Sequence, residues 1–154
     1  MAKRKSSGIL LYRDGATEVE VFLVFYGGPY WAGKDAGAWS IPKGEFEESE
    51  TPLQAGIREF HEETGTLLHG DFKELKPVIQ KAGKQVFAFA LKGDLDATAI
   101  VSNTFTMEWP PKSGNWQRFP EIAKAAWFPL TLAREKINTA QVSFLDELLL
   151  NVQH

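Results

Sequence analysis

An α+β or α/β/α sandwich fold is predicted for this chain of 154 residues. Short runs rich in branched and aromatic residues are spread along its whole length, and only two or three helical segments interrupt them. Hydrophobic content of 44% and charged content of 24% are normal for a soluble globular protein. The length suits one domain spanning residues 1–154 with a substantial core.

Taken in order, residues 1–5 carry the basic run Lys3-Arg4-Lys5, read as a flexible, solvated terminus. Residues 7–13 (SGILLYR) and 19–26 (VEVFLVFY) are expected as strands on either side of an Asp14-Gly15 turn. The second is almost continuously apolar and belongs in the middle of a sheet. A glycine-rich loop over residues 27–38 leads to a short strand at 39–41. Residues 72–80 and 85–91 flank Ala82-Gly83 and read as a hairpin, and 100–107 as a further strand. Residues 107–120 (MEWPPKSGNWQRFP) are expected as a long loop, a kind of segment that often carries function. A short strand at 126–128 and an amphipathic helix at 139–150 complete the chain.

The most informative stretch is residues 44–66, GEFEESETPLQAGIREFHEETGT. Thr51 is a good N-cap, Pro52 suits the first helical position, Gln54 completes a capping box and Gly65 is a natural stop. At about 100° per residue, Leu53, Ile57 and Phe60 form one apolar stripe. Glu59, Glu62 and Glu63, at i, i+3 and i+4, stack on a face centred about 130° away. Ala55 and Gly56 fall on the carboxylate side, where small residues would leave room for a ligand. Like charges so arranged repel one another, and a bound cation would relieve them. Oxygen-only donors favour Mg²⁺, Mn²⁺ or Ca²⁺ over zinc. The competing reading is a solvated acidic helix face; the glycine at each end and the arginine beside the acids argue against it.

The segment resembles the signature of the Nudix hydrolases, G-x5-E-x7-R-E-U-x-E-E-x-G-U, where U is a bulky aliphatic residue. Gly44, Glu50, Arg58, Glu59, Glu62, Glu63 and Gly65 fall in register. Phe60 and Thr66 depart from it, both at packing positions. Residues 39–43 (WSIPK) resemble the family's approach to the box. The resemblance covers residues 39–66 by specific motif and most of the chain by layout. It implies a mixed sheet between helices, with the box as loop–helix–loop against it.

What the resemblance implies chemically is hydrolysis of a nucleoside diphosphate linked to another group. Glu59, Glu62 and Glu63 would hold Mg²⁺ or Mn²⁺, with the carbonyl of Lys43 or Gly44 as a further ligand. Arg58 would pair with Glu50 and orient the acidic face. The general base is a box glutamate in parts of the family and a distal one in others, which leaves Glu62 beside Glu121 and, second, Glu108. Lys43 is either a phosphate contact or a solvated lysine. Tyr30, Trp31, Trp109, Trp116 and Arg118 are the available pieces for binding the nucleobase by stacking. His61 points away from the glutamates, and His69 and His154 have no ligand partner at a recognisable spacing.

Sub-family signatures discriminate weakly. No tyrosine occurs after Tyr30, although one group of diadenosine polyphosphate hydrolases carries a tyrosine downstream of the box. Pro77 comes too early to match the ADP-ribose pyrophosphatases. GILLYR and WSIPKGEFEESE nonetheless look most like small bacterial hydrolases of diadenosine polyphosphates or nucleoside triphosphates. Nucleotide sugars, ADP-ribose, oxidised nucleotides and RNA 5′ ends stay open as substrates. Isopentenyl-diphosphate isomerases share the fold but depend on a cysteine, and this chain has none. A catalytically silent nucleotide-binding regulator typically lacks box acids or the arginine, and all are present here. The absence of cysteine excludes disulfides and fits a cytoplasmic location. No apolar run approaches membrane-spanning length. A net charge of −3 argues against nucleic acid as partner. A small nucleotide is the expected partner, and a homodimer through the C-terminal helix is left open.

Overall fold

In a computed structural model, which describes residues 4–152, a mixed seven-stranded sheet lies between one helix on one face and two on the other. Strands β1 (Lys5–Asp14) and β2 (Val19–Tyr26) form its centre. β1 pairs in parallel with β6 (Gln85–Lys92) along its length. It pairs antiparallel with β3 (Lys43–Glu45) through Ser6, Ser7 and Gly8, and with β2 through Tyr12, Arg13 and Asp14. β9 (Ile122–Pro129) lies against β2, while β4 (Lys73–Glu74) and β5 (Val78–Ile79) line β6.

The layers arise from the two-residue period of the strands. Ile9, Leu11, Phe22, Val24, Phe89 and Leu91 face helix α1 (Pro52–Thr64) and bury its Phe60. Leu10, Val21, Leu23, Val86, Ala88 and Ala90 face the other way, onto helices α2 (Leu130–Lys136) and α3 (Val142–Val152). Trp39 anchors this second core, meeting Phe25 and Phe128 edge-on at 5.4 and 4.9 Å. The expected α/β/α sandwich is the one observed.

α1 has the ends its sequence predicts. Thr51 and Gln54 form the reciprocal capping box, and Gly65 closes the helix at φ 82°, a left-handed conformation costly for other residues. Other elements differ from expectation. Lys5 opens β1, and the Arg4 carbonyl accepts from Gln85 N–H, so Arg4 and Lys5 of the basic run belong to the sheet region; residues 1–3 lie outside the described residues, as does His154. Residues 39–41 make only isolated bridges through Trp39 and Ser40, and the short strand is β3 instead. The strand expected over residues 72–80 is broken into β4 and β5 around Pro77, which has no N–H to give a ladder. β9 runs for eight residues rather than three, and α2 comes directly after it. The C-terminal helix starts with a 3-10 turn, Thr139–Gln141.

The largest departure is within residues 107–120. The strand expected over 100–107 is β7 (Thr104–Glu108), but the expected loop holds its partner, β8 (Trp116–Pro120), and the two form a hairpin separate from the main sheet. Its root is fixed by backbone bonds: Val101 N–H to the Thr64 carbonyl, Asn103 N–H to the Glu62 carbonyl, and Glu121 N–H to the Asn103 carbonyl. The hairpin therefore springs from the C-terminal end of α1. Among the described residues no helix is long and apolar enough to cross a membrane.

Phe60 is fully buried between α1 and the sheet, 5.7 Å from the Phe22 ring. Phe60→Ala is expected to lower stability by about 3–5 kcal/mol, read as a shift in the urea unfolding midpoint.

Candidate active site

The site grows from the contact between β3 and α1. Ser7 Oγ donates to the Pro52 carbonyl and ties the start of the helix to β1. Gly56 lies against Ile9, Ser7 and Gly8, and Ala55 is fully buried. Ala55 and Gly56 thus serve close packing of helix on sheet, and do not open room for a ligand as their helical phase suggests. Farther along the helix, Glu59 lies so close to Gly44 that a Cβ there would fall within its carboxylate. A side chain at position 44 would push the Glu59 carboxylate from its place.

Arg58 organises the acids. Its Nε and Nη2 donate to the two oxygens of Glu50 at 2.8 and 2.9 Å, the pairing the sequence suggests. Its Nη1 donates to Glu59 at 2.8 Å and to Glu62 at 3.2 Å. The guanidinium is held firmly protonated by Glu50 and Glu59, and it keeps the Glu50 carboxyl below the usual range.

Glu63 is the deepest of the three glutamates, with 2% of its surface exposed. It faces the Tyr26 hydroxyl at 3.3 Å, and that hydroxyl also reaches the Lys43 carbonyl at 3.1 Å and accepts from Lys43 N–H at 3.3 Å. Tyr26 links the last strand residue before the glycine turn, the approach to the box and the innermost acid. Burial, reinforced by the charges of Glu59 and Glu121, pushes the Glu63 carboxyl up to about 9. Burial raises Glu59 as well, against the pull of Arg58. Lys43 is half-buried, and burial together with nearby Lys84 brings its ammonium down to about 8.

Glu121, the distal acid singled out in the sequence, joins this cluster. Its carbonyl accepts from Gly27 N–H, and its N–H bonds to the root of the hairpin. Its carboxyl is raised by burial and then by the charges of Glu59 and Glu62. Glu108 does not join: its two oxygens accept from Lys112 and Gly114 N–H and hold the tip of the hairpin. Tyr30 meets Trp109 edge-on at 5.1 Å, so the hairpin tip leans on the 3-10 turn Pro29–Trp31. Tyr30 and Trp116 are exposed at 60% and 67%, and Arg118 is exposed on β8. Trp31 is separated from them: it packs against the core on the α2–α3 side. His61 and His69 are exposed.

Two contributors have no counterpart among the expected site residues. Tyr26 reads in sequence as a strand residue, and only the tertiary fold brings its hydroxyl to Glu63. Gln141 is fully buried, accepting from Ile41 N–H at 3.0 Å and donating to Ser40 Oγ at 3.0 Å. It locks the approach to the box onto the C-terminal turn. A buried amide after an Asn-Thr turn carries no local signature of such a partner.

The donor set suits a hard divalent cation. Four carboxylates cluster here, and Arg58 and Lys43 are the cations that counter them. Among the described residues no three acidic or histidine side chains form a ready cage, because Arg58 draws Glu59 and Glu62 while Tyr26 faces Glu63.

The NUDIX domain family model matches residues 2–148, and the chain belongs to the NUDIX family of pyrophosphohydrolases. No curated protein matches the sequence. Among solved structures, a C. elegans Ap4A hydrolase binary complex is similar with TM-score 0.65 and 21% identity, over 97% of this chain and 98% of that one. The NUDIX domain of Shewanella oneidensis NrtR, complexed with ADP ribose, has TM-score 0.67 and 14% identity, over 99% and 90%. A mutT/nudix family protein from Listeria innocua has TM-score 0.65 and 16% identity, over 99% and 96%. At these identities the likeness establishes the fold.

Tyr26→Phe removes the hydroxyl that serves Glu63 and the Lys43 backbone, leaving buried groups without a partner. It is expected to cost about 1–3 kcal/mol in chemical denaturation, with the fold retained by circular dichroism.

Proposed function

We propose that the chain is a divalent-metal-dependent hydrolase of a diphosphate bond in a nucleoside diphosphate linked to another group, a diadenosine polyphosphate or nucleoside triphosphate. The observation that carries this reading is the cluster of Glu59, Glu62, Glu63 and Glu121 organised by Arg58, with Lys43 beside it. The fold it shares with an Ap4A hydrolase over almost the full length of both chains supports it.

Glu59, Glu62 and Glu63 would hold Mg²⁺ or Mn²⁺, with the Lys43 or Gly44 carbonyl beside them. When bound, the cation neutralises phosphate charge and lowers the pKa of water. Glu121 accepts the proton of the attacking water; its backbone is fixed at both N–H and carbonyl, and its carboxyl feels the charges of Glu59 and Glu62. Glu62 is the competing base within the box. Arg58 holds Glu59 and Glu62 in orientation through its bonds to Glu50, which is positioning work. The Lys43 ammonium is the cation nearest to hand for a phosphate oxygen. Tyr30 and Arg118, with Trp109 and Trp116, offer ring and guanidinium surface for a nucleobase. Trp31 is left out of this set, since its ring packs against the opposite core.

The test is a product-resolved hydrolysis panel of diadenosine polyphosphates, nucleoside triphosphates, nucleotide sugars and ADP-ribose, with Mg²⁺ or Mn²⁺. Turnover of one class is expected, lost in chelator and in Glu62→Gln. Glu121→Gln is expected to lower kcat by about 10²–10⁴-fold; an unchanged rate moves the proton acceptor to Glu62. Binding without turnover of any substrate would favour a nucleotide-binding module, the reading to which the ADP-ribose-bound NUDIX domain lends weight. Arg58→Lys keeps the charge but cannot fork across Glu50 and the box acids. Its Mn²⁺ affinity is expected to fall about 10–100-fold, measured by electron paramagnetic resonance titration.

A further inference from the structure

Beside the acidic face lies a cleft that the proposed chemistry does not use. It has a volume of about 590 Å³ and is lined by Lys5, Phe46, Glu47, Glu48, Glu50, Pro52 and Phe87. Phe46 and Phe87 meet edge-on at 6.0 Å. Its volume is within the range of small-molecule sites, which extends over roughly 300–1,000 Å³.

The cleft is continuous with the acidic face through one side chain. Glu50 forms part of its wall and takes both forks of Arg58, whose remaining nitrogen holds Glu59 and Glu62. Glu50 and Arg58 are thus the groups that stand between the acidic face and the cleft. The lining decides what kind of group can enter behind it. Glu50 is paired with Arg58, and Arg4 on the adjoining surface is paired with Glu45, which leaves the exposed carboxylates of Glu47 and Glu48 against the ammonium of Lys5. Such a rim disfavours a terminal phosphate. It favours a neutral ring with hydroxyls: aromatic edges and Pro52 meet the ring, and carboxylates accept from a ribose diol.

We infer that the Phe46–Phe87 cleft is the subsite for the leaving group, and that it takes a neutral nucleoside rather than a phosphate terminus. This rests on the hydrolase reading and narrows it: a dinucleoside polyphosphate, with a nucleoside at each end, fits better than a nucleoside triphosphate. Phe46 is the specificity-determining residue, since Phe87 also packs into the core below α1.

The experiment has a binding arm that needs neither metal nor turnover. Adenosine, guanosine, uridine and adenosine 5′-monophosphate are titrated in excess chelator against wild type, Phe46→Ala and Phe46→Leu, monitored by amide chemical shifts. At least one nucleoside is expected to bind saturably and shift Phe46 and Phe87. Its Kd should rise at least tenfold in Phe46→Ala and less in Phe46→Leu. The monophosphate should bind more weakly than the nucleoside, and Glu47→Gln with Glu48→Gln should narrow that gap. In the kinetic arm, the kcat/KM preference for dinucleoside over triphosphate should fall at least tenfold in Phe46→Ala, carried by KM. No nucleoside binding, or binding unaffected by Phe46→Ala, overturns the inference. Nucleoside binding lost in Phe46→Ala without hydrolysis of any substrate by wild type sinks the hydrolase reading and leaves the nucleoside cleft standing.

Discussion

Arg58 bonds to Glu50, Glu59 and Glu62 through its guanidinium nitrogens, and the acidic end of the molecule depends on that one group. Like carboxylates brought to helical neighbour distance repel, and partial burial strengthens the repulsion by lowering the effective dielectric. A planar fork with five donors can satisfy carboxylates on both sides at once, which a lysine ammonium cannot do in fixed geometry. The same bonds tie the loop after β3, where Glu50 sits, to the helix that carries the box acids. The position of the cleft wall and the position of the acidic face are therefore set together.

The sheet divides the remaining work. On the α2–α3 side, Trp39 and the buried Gln141 lock the approach to the box against the C-terminal part of the chain. On the α1 side, small residues let the helix come down on β1, and Glu59 comes to rest on Gly44. The box loop is thus gripped from both faces of the sheet. Those two anchors add to the loop's own bonds, among them Glu50 N–H to the Glu47 carbonyl and the Arg58–Glu50 fork.

What could be read from the sequence was what depends on neighbours along the chain. The capping box of Thr51 and Gln54, the stop at Gly65 and the Arg58–Glu50 pair all lie within one short segment, and all are present. Glu121 was found by its setting in the chain, not by geometry. The Tyr26 hydroxyl beside Glu63 joins residues far apart in sequence, and no periodicity encodes it. β7 overlaps the strand expected over 100–107, but β8 hid because Pro110, Pro111 and exposed polar residues obscure the alternation that marks a strand. Trp31 and Tyr30 are adjacent yet point to different places: Trp31 to the core, Tyr30 to the hairpin tip. Nothing in their local sequence separates the two.

The charges that remain bear on how the site would accept a cation and an anion. Burial raises Glu63 and Glu59 and lowers Lys43, so each of these groups is held away from its charged form by the same desolvation. A phosphate arriving alone would add negative charge to a place that already disfavours it. A divalent cation arriving first removes that conflict, since it stabilises the ionised carboxylates and offers an anion something to meet. A phosphate would then add to the counter-charge that Glu63, Glu45 and Glu59 already give Lys43. On the proposed reading, cation and anion would each relieve the cost of burying the other, and the cleft beyond Glu50, with Glu47 and Glu48 in its lining, would suit the uncharged end of a ligand.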